Sequence, residues 1–201
     1  MFTGIVEAQG VVQEVVHRDG NLRLSIQSEI SPTLRPGQSV AHDGVCLTIT
    51  EVDGHTHWVD IVEETLKKTH FHCVRIGQRL NLERSLTLQT PLDGHFVQGH
   101  CDQTLPCIDI VPREGSTLFY FPVDPQHAAL LIPHGSIAIN GVSLTVAGLD
   151  DERFYVSIIP HTMQKTNFSQ LKPNQLVNVE YDLIGKYILR YAKLQGLAGR
   201  D

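Results

Sequence analysis

Residues 40–83 read VAHDGVCLTITEVDGHTHWVDIVEETLKKTHFHCVRIGQRLNLE, and residues 137–180 read IAINGVSLTVAGLDDERFYVSIIPHTMQKTNFSQLKPNQLVNVE. The two stretches align at a constant offset of 97 without a gap, and 15 of the 44 positions are identical, among them Gly44/Gly141, Leu47/Leu144, Thr48/Thr145, Thr65/Thr162, Asn81/Asn178 and Glu83/Glu180. Unrelated segments would match at roughly 6% of positions, so the chain is an internal duplication. A weaker echo links Phe2-Thr3-Gly4-Ile5 with Phe96-Val97-Gln98-Gly99-His100 and puts the start of the second copy near residue 95. A period this long is too large for a solenoid. Each copy is a small domain with its own core.

Within each copy the apolar pattern has the period of strands. Val11–Val16 and Leu22–Ile26 flank the turn Asp19-Gly20; Val45–Thr50 alternates strictly; Asp53-Gly54 leads to Trp58–Val62; and Leu80–Glu83 closes the copy. The second copy repeats this with Leu118–Phe121, Ile137–Ile139, Val142–Val146, Phe154–Ile159 and Leu176–Glu180. Short strands with turn signals point to a sandwich or barrel, and closure would remove exposed edges in so small a unit. The tail differs: Leu183, Ile184, Tyr187, Ile188, Tyr191 and Leu194 share one helix face, with Lys186, Arg190 and Lys193 on the other. That helix must dock on its own barrel or on another subunit. The expected domains are 1–94 and 95–182, followed by a helix and tail over 183–201.

The bulk properties narrow the function. The chain of 201 residues is 41% hydrophobic and 19% charged, with a net charge of -6. Nucleic acid and anionic membrane surfaces call for clustered Lys and Arg, which that balance disfavours. No run of 18 apolar residues exists to span a bilayer, and the N-terminus has no signal-peptide pattern. The cytoplasm is the expected compartment, with Cys46, Cys73, Cys101 and Cys107 as free thiols. The clusters His70-Phe71-His72-Cys73 and His95…His100-Cys101 lack the spacing of a closed metal site, so no metal is expected. The sequon Asn167-Phe168-Ser169 would go unmodified in that compartment.

Chemistry concentrates on the two repeated strands. Period-two geometry puts Cys46, Thr48 and Thr50 opposite Val45, Leu47 and Ile49, and puts Ser143 and Thr145 opposite Val142, Leu144 and Val146. The apolar face is the core face. The other is a row of hydroxyl and thiol groups, suited either to solvent or to the edge of a polar heterocycle or polyol.

Met1–Glu7, Ser39–Thr48, Glu64-Thr65-Leu66, Gly94-His95…Gly99-His100, Asn140–Thr145 and Ile159-Pro160-His161-Thr162 together resemble the signature segments of the riboflavin synthase family, in order and spacing across nearly the whole chain. The resemblance implies an all-β chain of two six-stranded Greek-key barrels plus a C-terminal amphipathic helix, assembled as a homotrimer. Each barrel would bind one 6,7-dimethyl-8-ribityllumazine, and a four-carbon unit would pass between the two. The products would be riboflavin and 5-amino-6-(D-ribitylamino)uracil, with no metal or redox cofactor, and lumazine synthase is a conceivable partner. By position, Ser143, Thr145, Ile159 and Thr162 would hold the C-barrel substrate, and Cys46, Thr48, Val62 and Thr65 the N-barrel one. Phe2, Thr3, Gly4, Ile5, Val6, Ser39, Gly99 and Asp182 would also line the sites. His100, Cys46, Ser143 and Thr145 are the expected catalytic residues. Two positions depart from the family pattern: His134 stands where Lys is common, and Asn140 where Asp is common. A non-catalytic lumazine or flavin binder on the same double barrel is the nearest rival, and retention of Cys46, Thr48, His100, Ser143 and Thr145 favours the enzyme. A flavin reductase would need a nicotinamide-binding half, and no G-x-G-x-x-G is present.

Overall fold

The computed structural model describes residues 1–197; the last four residues of the predicted tail, 198–201, lie outside the described residues. Six strands form the first unit: β1 (Ala8–Arg18), β2 (Asn21–Gln27), β3 (Ser39–His42), β4 (Val45–Asp53), β5 (Thr56–Ile61) and β6 (Arg79–Arg84). They close into an antiparallel barrel in the Greek-key order β1-β2-β5-β4-β3-β6. Asp19-Gly20 and Asp43-Gly44 turn its hairpins with positive φ at both residues (46° and 81°, 45° and 77°), as the primed turns of twisted hairpins require.

The second unit follows the same path with one difference. Its strands are β7 (Gln103–Pro106), β8 (Asp109–Arg113), β9 (Ser116–Pro122), β10 (Ser136–Ile139), β11 (Val142–Leu149), β12 (Arg153–Ile158) and β13 (Leu176–Tyr181), in the order β7-β13-β10-β11-β12-β9-β8. The outermost strands β7 and β8 are consecutive in the chain and together correspond to β1. In the first barrel β1 only bulges, between Val12 and Glu14. In the second it breaks at Cys107-Ile108, directly after Pro106, whose missing N–H cannot extend a ladder. The bonds across the break are conserved between repeats: Cys107 N donates to Gln175 O as Val12 N donates to Gln78 O, and Asn174 N to Cys107 O as Gly77 N to Val12 O. The six-strand plan thus becomes seven strands.

The predicted faces hold. Val45, Leu47 and Ile49 are buried while Thr48 and Thr50 are exposed; Val142 and Val146 are buried while Thr145 is exposed. The two cores differ in filling. The second is aromatic, with Phe119, Phe121, Phe154, Phe168 and Tyr181 buried together. The first is mainly aliphatic but encloses two histidines, His42 and His57, both fully buried. His42 Nδ1 donates to Val40 O (3.1 Å), so its Nε2 accepts from His57 Nε2 (2.9 Å); His57 Nδ1 then accepts from Ser31 Oγ (2.7 Å), which accepts from Ser28 Oγ (2.8 Å). One tautomer of each neutral ring satisfies the whole chain.

The barrels meet at a pseudo-twofold where the turns Asp43-Gly44 and Asn140-Gly141 touch backbone to backbone. A Cβ on either glycine would lie 2.6–2.7 Å from the other's amide nitrogen. Asn81 Nδ2 donates to Asn140 O and Asn178 Nδ2 to Asp43 O, each at 2.9 Å. Asp43 Oδ1 accepts from Asn81 N as Asn140 Oδ1 accepts from Asn178 N. The symmetry breaks at His70 and Asn167: His70 pairs with Asp43 of its own repeat (3.0 Å), whereas Asn167 crosses to donate to Asp43 Oδ1 and accept from Asn81 Nδ2, each at 2.9 Å, and stands 3.5 Å from Asn140. The loss of the acid at position 140 therefore falls on the barrel interface, with His70 and Asn167 as the matching exchange. His134 is exposed in the turn before β10, with φ of 63°.

Short helices α1 (Glu63–Lys68) and α2 (Pro160–Lys165) follow β5 and β12, and α3 (Leu183–Leu194) ends the fold. Asp182 caps α3, accepting from Ile184 N at 2.8 Å. Ile184, Tyr187, Ile188, Tyr191 and Leu194 on α3 stay between 59% and 71% exposed, so their barrel does not cover this apolar face. No helix among the described residues is long and apolar enough to cross a membrane.

Candidate active site

The polar rows of β4 and β11 lie on the outside of the barrels, and the next strand extends each into a shelf. Ser39 pairs with Thr48 and Ala41 with Cys46; in the second barrel Ser136 pairs with Thr145 and Ala138 with Ser143. Ladders to β5 and β12 begin only at Ile49 and Val146, which leaves the β4 and β11 edges at Cys46 and Ser143 without a strand partner.

Those edges are filled by the other repeat. Cys46 N donates to Gly99 O (2.8 Å), and Ser143 N donates to Gly4 O (2.7 Å). The chain's start therefore completes the second barrel's shelf, and the segment leading into the second barrel completes the first's. The approach is closer than any side chain allows: a Cβ on Gly4 would lie 2.6 Å from Ser143 Cβ, and one on Gly99 2.6 Å from Cys46 Cβ, with φ of 77° and 83°. Phe2 and Val97 bridge the two segments, exchanging backbone bonds of 2.7 and 3.1 Å, and pack with Ala41 and Ala138 in a small core between the barrels. Phe2 is fully buried there and supports the shelves from beneath.

Val62 and Ile159 stand 55% and 54% exposed at the N-caps of α1 and α2, with Thr65 and Thr162 half-buried one turn later. The first shelf is built from Ser39, Cys46 and Thr48, with Gly99 bonded to Cys46 and His100 next in the chain; Val62 and Thr65 follow directly on β5, the neighbour of β4. The second is built from Ser143 and Thr145, with Gly4 bonded to Ser143 between Thr3 and exposed Ile5; Ile159 and Thr162 follow directly on β12, the neighbour of β11. Val6 turns away to pack against the second core. His100 is exposed, and its backbone N donates to Glu180 (2.9 Å).

Four residues absent from the predicted site belong to it. Ser136 is the repeat partner of Ser39. Glu83 and Glu180 hold the crossing segments. His95 is the most consequential: its Nδ1 lies 2.7 Å from Ser143 Oγ, its backbone N donates to Thr3 O (3.1 Å), and its buried Nε2 has no partner among the described residues. Burial holds this imidazole below its ordinary value, partly countered by the Asp182 carboxylate. A neutral His95 can take the Ser143 proton at one nitrogen and offer the other to a ligand. Among the described residues the first shelf has no equivalent histidine contact at Cys46. Identity at the repeat offset marks both glutamates in the sequence, and the same offset pairs Ser136 with Ser39; nothing local marks the His95–Ser143 contact.

One other polar cluster lies apart from the shelves. A cavity of about 860 Å³ in the cleft between the barrels is lined by His70, His72, Arg75, Arg79 and Lys172 and contains no shelf residue.

Comparison with known proteins agrees with this geometry. The lumazine binding domain family matches twice, over residues 3–85 and 98–182. Riboflavin synthase of Bacillus amyloliquefaciens is 37% identical over 192 residues, covering 95% of this chain and 89% of that protein. Riboflavin synthase of Schizosaccharomyces pombe is 37% identical over 191 residues (93% and 91%), and that of Mycobacterium tuberculosis 37% over 205 residues (98% and 100%). Among solved structures, LumP complexed with 6,7-dimethyl-8-(1'-D-ribityl) lumazine superposes with a TM-score of 0.82 at 24% identity, covering 90% of this chain and 98% of that one, which shows the shared fold. A duplicated barrel with two equivalent outer shelves, matched along nearly its full length by these relatives, makes this chain a member of the riboflavin synthase family.

Proposed function

We infer that this chain is a riboflavin synthase, a transferase that takes two molecules of 6,7-dimethyl-8-ribityllumazine and moves a four-carbon unit from one to the other. The observation that carries this reading is the pair of equivalent shelves in one duplicated chain, because the reaction consumes two copies of one substrate. Both products derive wholly from the two substrates, so no external oxidant, reductant or metal enters the balance. The relatives compared above carry the riboflavin synthase name, and LumP structures hold ribityl lumazine or riboflavin.

The chemistry assigns work to the residues. The acceptor's C7 methyl group is acidic because its carbanion delocalises into the ring, so a proton acceptor and hydrogen-bond donors must meet it. Ser143, in contact with His95, and Thr145 are positioned for this on the second shelf. The donor needs a nucleophile added to its ring; Cys46, with Thr48 beside it and His100 at its rim, stands on the first. Ser39, Val62, Thr65 and Gly99 complete the first binding surface, and Ile159 and Thr162 with Thr3, Gly4 and Ile5 from the chain's start complete the second. Asp182 caps α3, and its carboxylate partly counters the effect of burial on His95.

We further propose a homotrimer in which the exposed face of α3 meets other copies, domains dividing at 94/95 and 182/183, and a cytoplasmic setting consistent with four unpaired cysteines. Association with lumazine synthase, which would supply the substrate, fits this setting. The decisive experiment is incubation with 6,7-dimethyl-8-ribityllumazine alone, following riboflavin fluorescence. Tight binding without conversion would make the chain a carrier instead. A chain ending at residue 182 that kept its trimer mass in light scattering would sink the role of α3.

A further inference from the structure

The last strand of each barrel ends near a buried glutamate whose hydrogen-bond partners belong to a leading segment. Glu83 on β6 accepts from Thr3 N (2.6 Å), Thr3 Oγ1 (2.7 Å) and Gly4 N (2.9 Å). Glu180 on β13 accepts from Gln98 N (2.6 Å), Gly99 N (2.9 Å) and His100 N (2.9 Å). Successive N–H groups around a positive-φ glycine form a concave anion nest, and a carboxylate in it makes strong, charge-assisted bonds. Glu83 is 6% exposed and Glu180 3%. Burial pushes both carboxyls above their usual value, while the N–H donors, and for Glu180 also the Lys186 ammonium, act in the opposite direction.

Each held segment then leaves its own barrel. The one gripped by Glu83 presents Gly4 O to Ser143 N, and the one gripped by Glu180 presents Gly99 O to Cys46 N. We propose that Glu83 and Glu180 are positioning residues that act crosswise: Glu83, rooted in the first barrel, shapes the second barrel's shelf, and Glu180, rooted in the second, shapes the first barrel's shelf and sets the place of His100. Neither repeat carries a whole site by itself. The clamps are a property of the fold; their consequence for lumazine binding rests on the function inferred above.

Chemical accessibility tests the crossing directly. Full-length protein is treated with iodoacetamide, and alkylation of each cysteine is followed by peptide mass spectrometry. Cys46 reports on the first shelf; a Ser143→Cys background reports on the second; fully buried Cys107 reports on global opening. Glu180→Gln, which turns an amide NH₂ toward the N–H donors, should speed Cys46 alkylation about tenfold relative to Cys107, while Glu83→Gln leaves it within about twofold. In the Ser143→Cys background the thiol introduced on the second shelf should show the reverse: faster alkylation with Glu83→Gln and little change with Glu180→Gln. Should a Gln variant accelerate Cys107 as well, the Glu→Asp variants, which keep the charge, are read by the same ratio. An unchanged Cys46 rate in Glu180→Gln, or equal acceleration of both reporters by both variants, overturns the proposal. Added 6,7-dimethyl-8-ribityllumazine should protect Cys46 in the unaltered protein and in Glu83→Gln but not in Glu180→Gln. Absence of protection in the unaltered protein would strike the substrate reading, while the ligand-free rates still judge the clamps.

Discussion

Acid should unfold the first barrel through its buried histidine pair. Burial, aided for His42 by the neighbouring His57, lowers the pKa of His42 to about 3, and burial lowers that of His57 to about 4. Protonating His42 at Nε2 would bring two N–H donors face to face across the 2.9 Å contact, and protonating His57 at Nδ1 would take away the acceptor of the Ser31 hydroxyl. In the unfolded chain both rings titrate near 6.5. The folded values are depressed, so their contribution is complete above pH 6.5 and declines as pH falls toward the folded values, between about pH 6.5 and 3. Near pH 5 the unfolded state holds nearly two more protons. At about 1.4 kcal/mol per proton per pH unit, the loss between pH 7 and pH 5 is about 4 kcal/mol. The second barrel has Ile139 and Phe154 at the equivalent positions and lacks this sensitivity. Urea unfolding at the two pH values should therefore show a pH-dependent loss in the unaltered protein that His42→Ile/His57→Phe removes. If the double variant loses as much stability between pH 7 and 5 as the parent, the histidine pair is not the acid-labile element.

His95→Asn should lower turnover about a hundredfold while the lumazine dissociation constant changes little, measured by steady-state kinetics beside direct binding; a loss confined to affinity would limit His95 to binding. Gly4→Ala forces a side chain into the space 2.6 Å from Ser143 Cβ at a φ of 77°. It should cost about 1–3 kcal/mol and weaken the second shelf's ligand more than the first's, as resolved by a two-site titration. Asn178→Leu deprives the His70 N–H and the Asp43 carbonyl of their partners at the barrel interface. A loss of about 2–4 kcal/mol in calorimetric stability is expected, against no change if water replaces the amide.

Much of this protein is written locally. The strand pattern, the turns marked by Asp19-Gly20 and Asp53-Gly54, and the division of β4 into an apolar and a hydroxyl face all follow from a period of two and the backbone freedom of glycine. The 97-residue repeat carries the same reading to the second barrel, and the spacing of Leu183 to Leu194 marks the terminal helix. The break in the second barrel's first strand is less legible, because Pro106 signals an interruption without saying that both halves stay in one sheet. The short helices after β5 and β12 are illegible because one and a half turns leave no periodic signal.

What the sequence alone determined is therefore a duplicated barrel with a polar row on each copy, since those properties depend on neighbours in the chain. Tertiary structure decided which repeat completes which shelf. The bond from Ser143 N to Gly4 O joins residues 139 positions apart, and the His95–Ser143 contact spans 48. Such contacts form because β5 and β12 stop short and leave backbone N–H groups that must find acceptors. The segment that reaches them is chosen by where the glutamate nests release it. No local pattern records that geometry; only the assembled pair of barrels does.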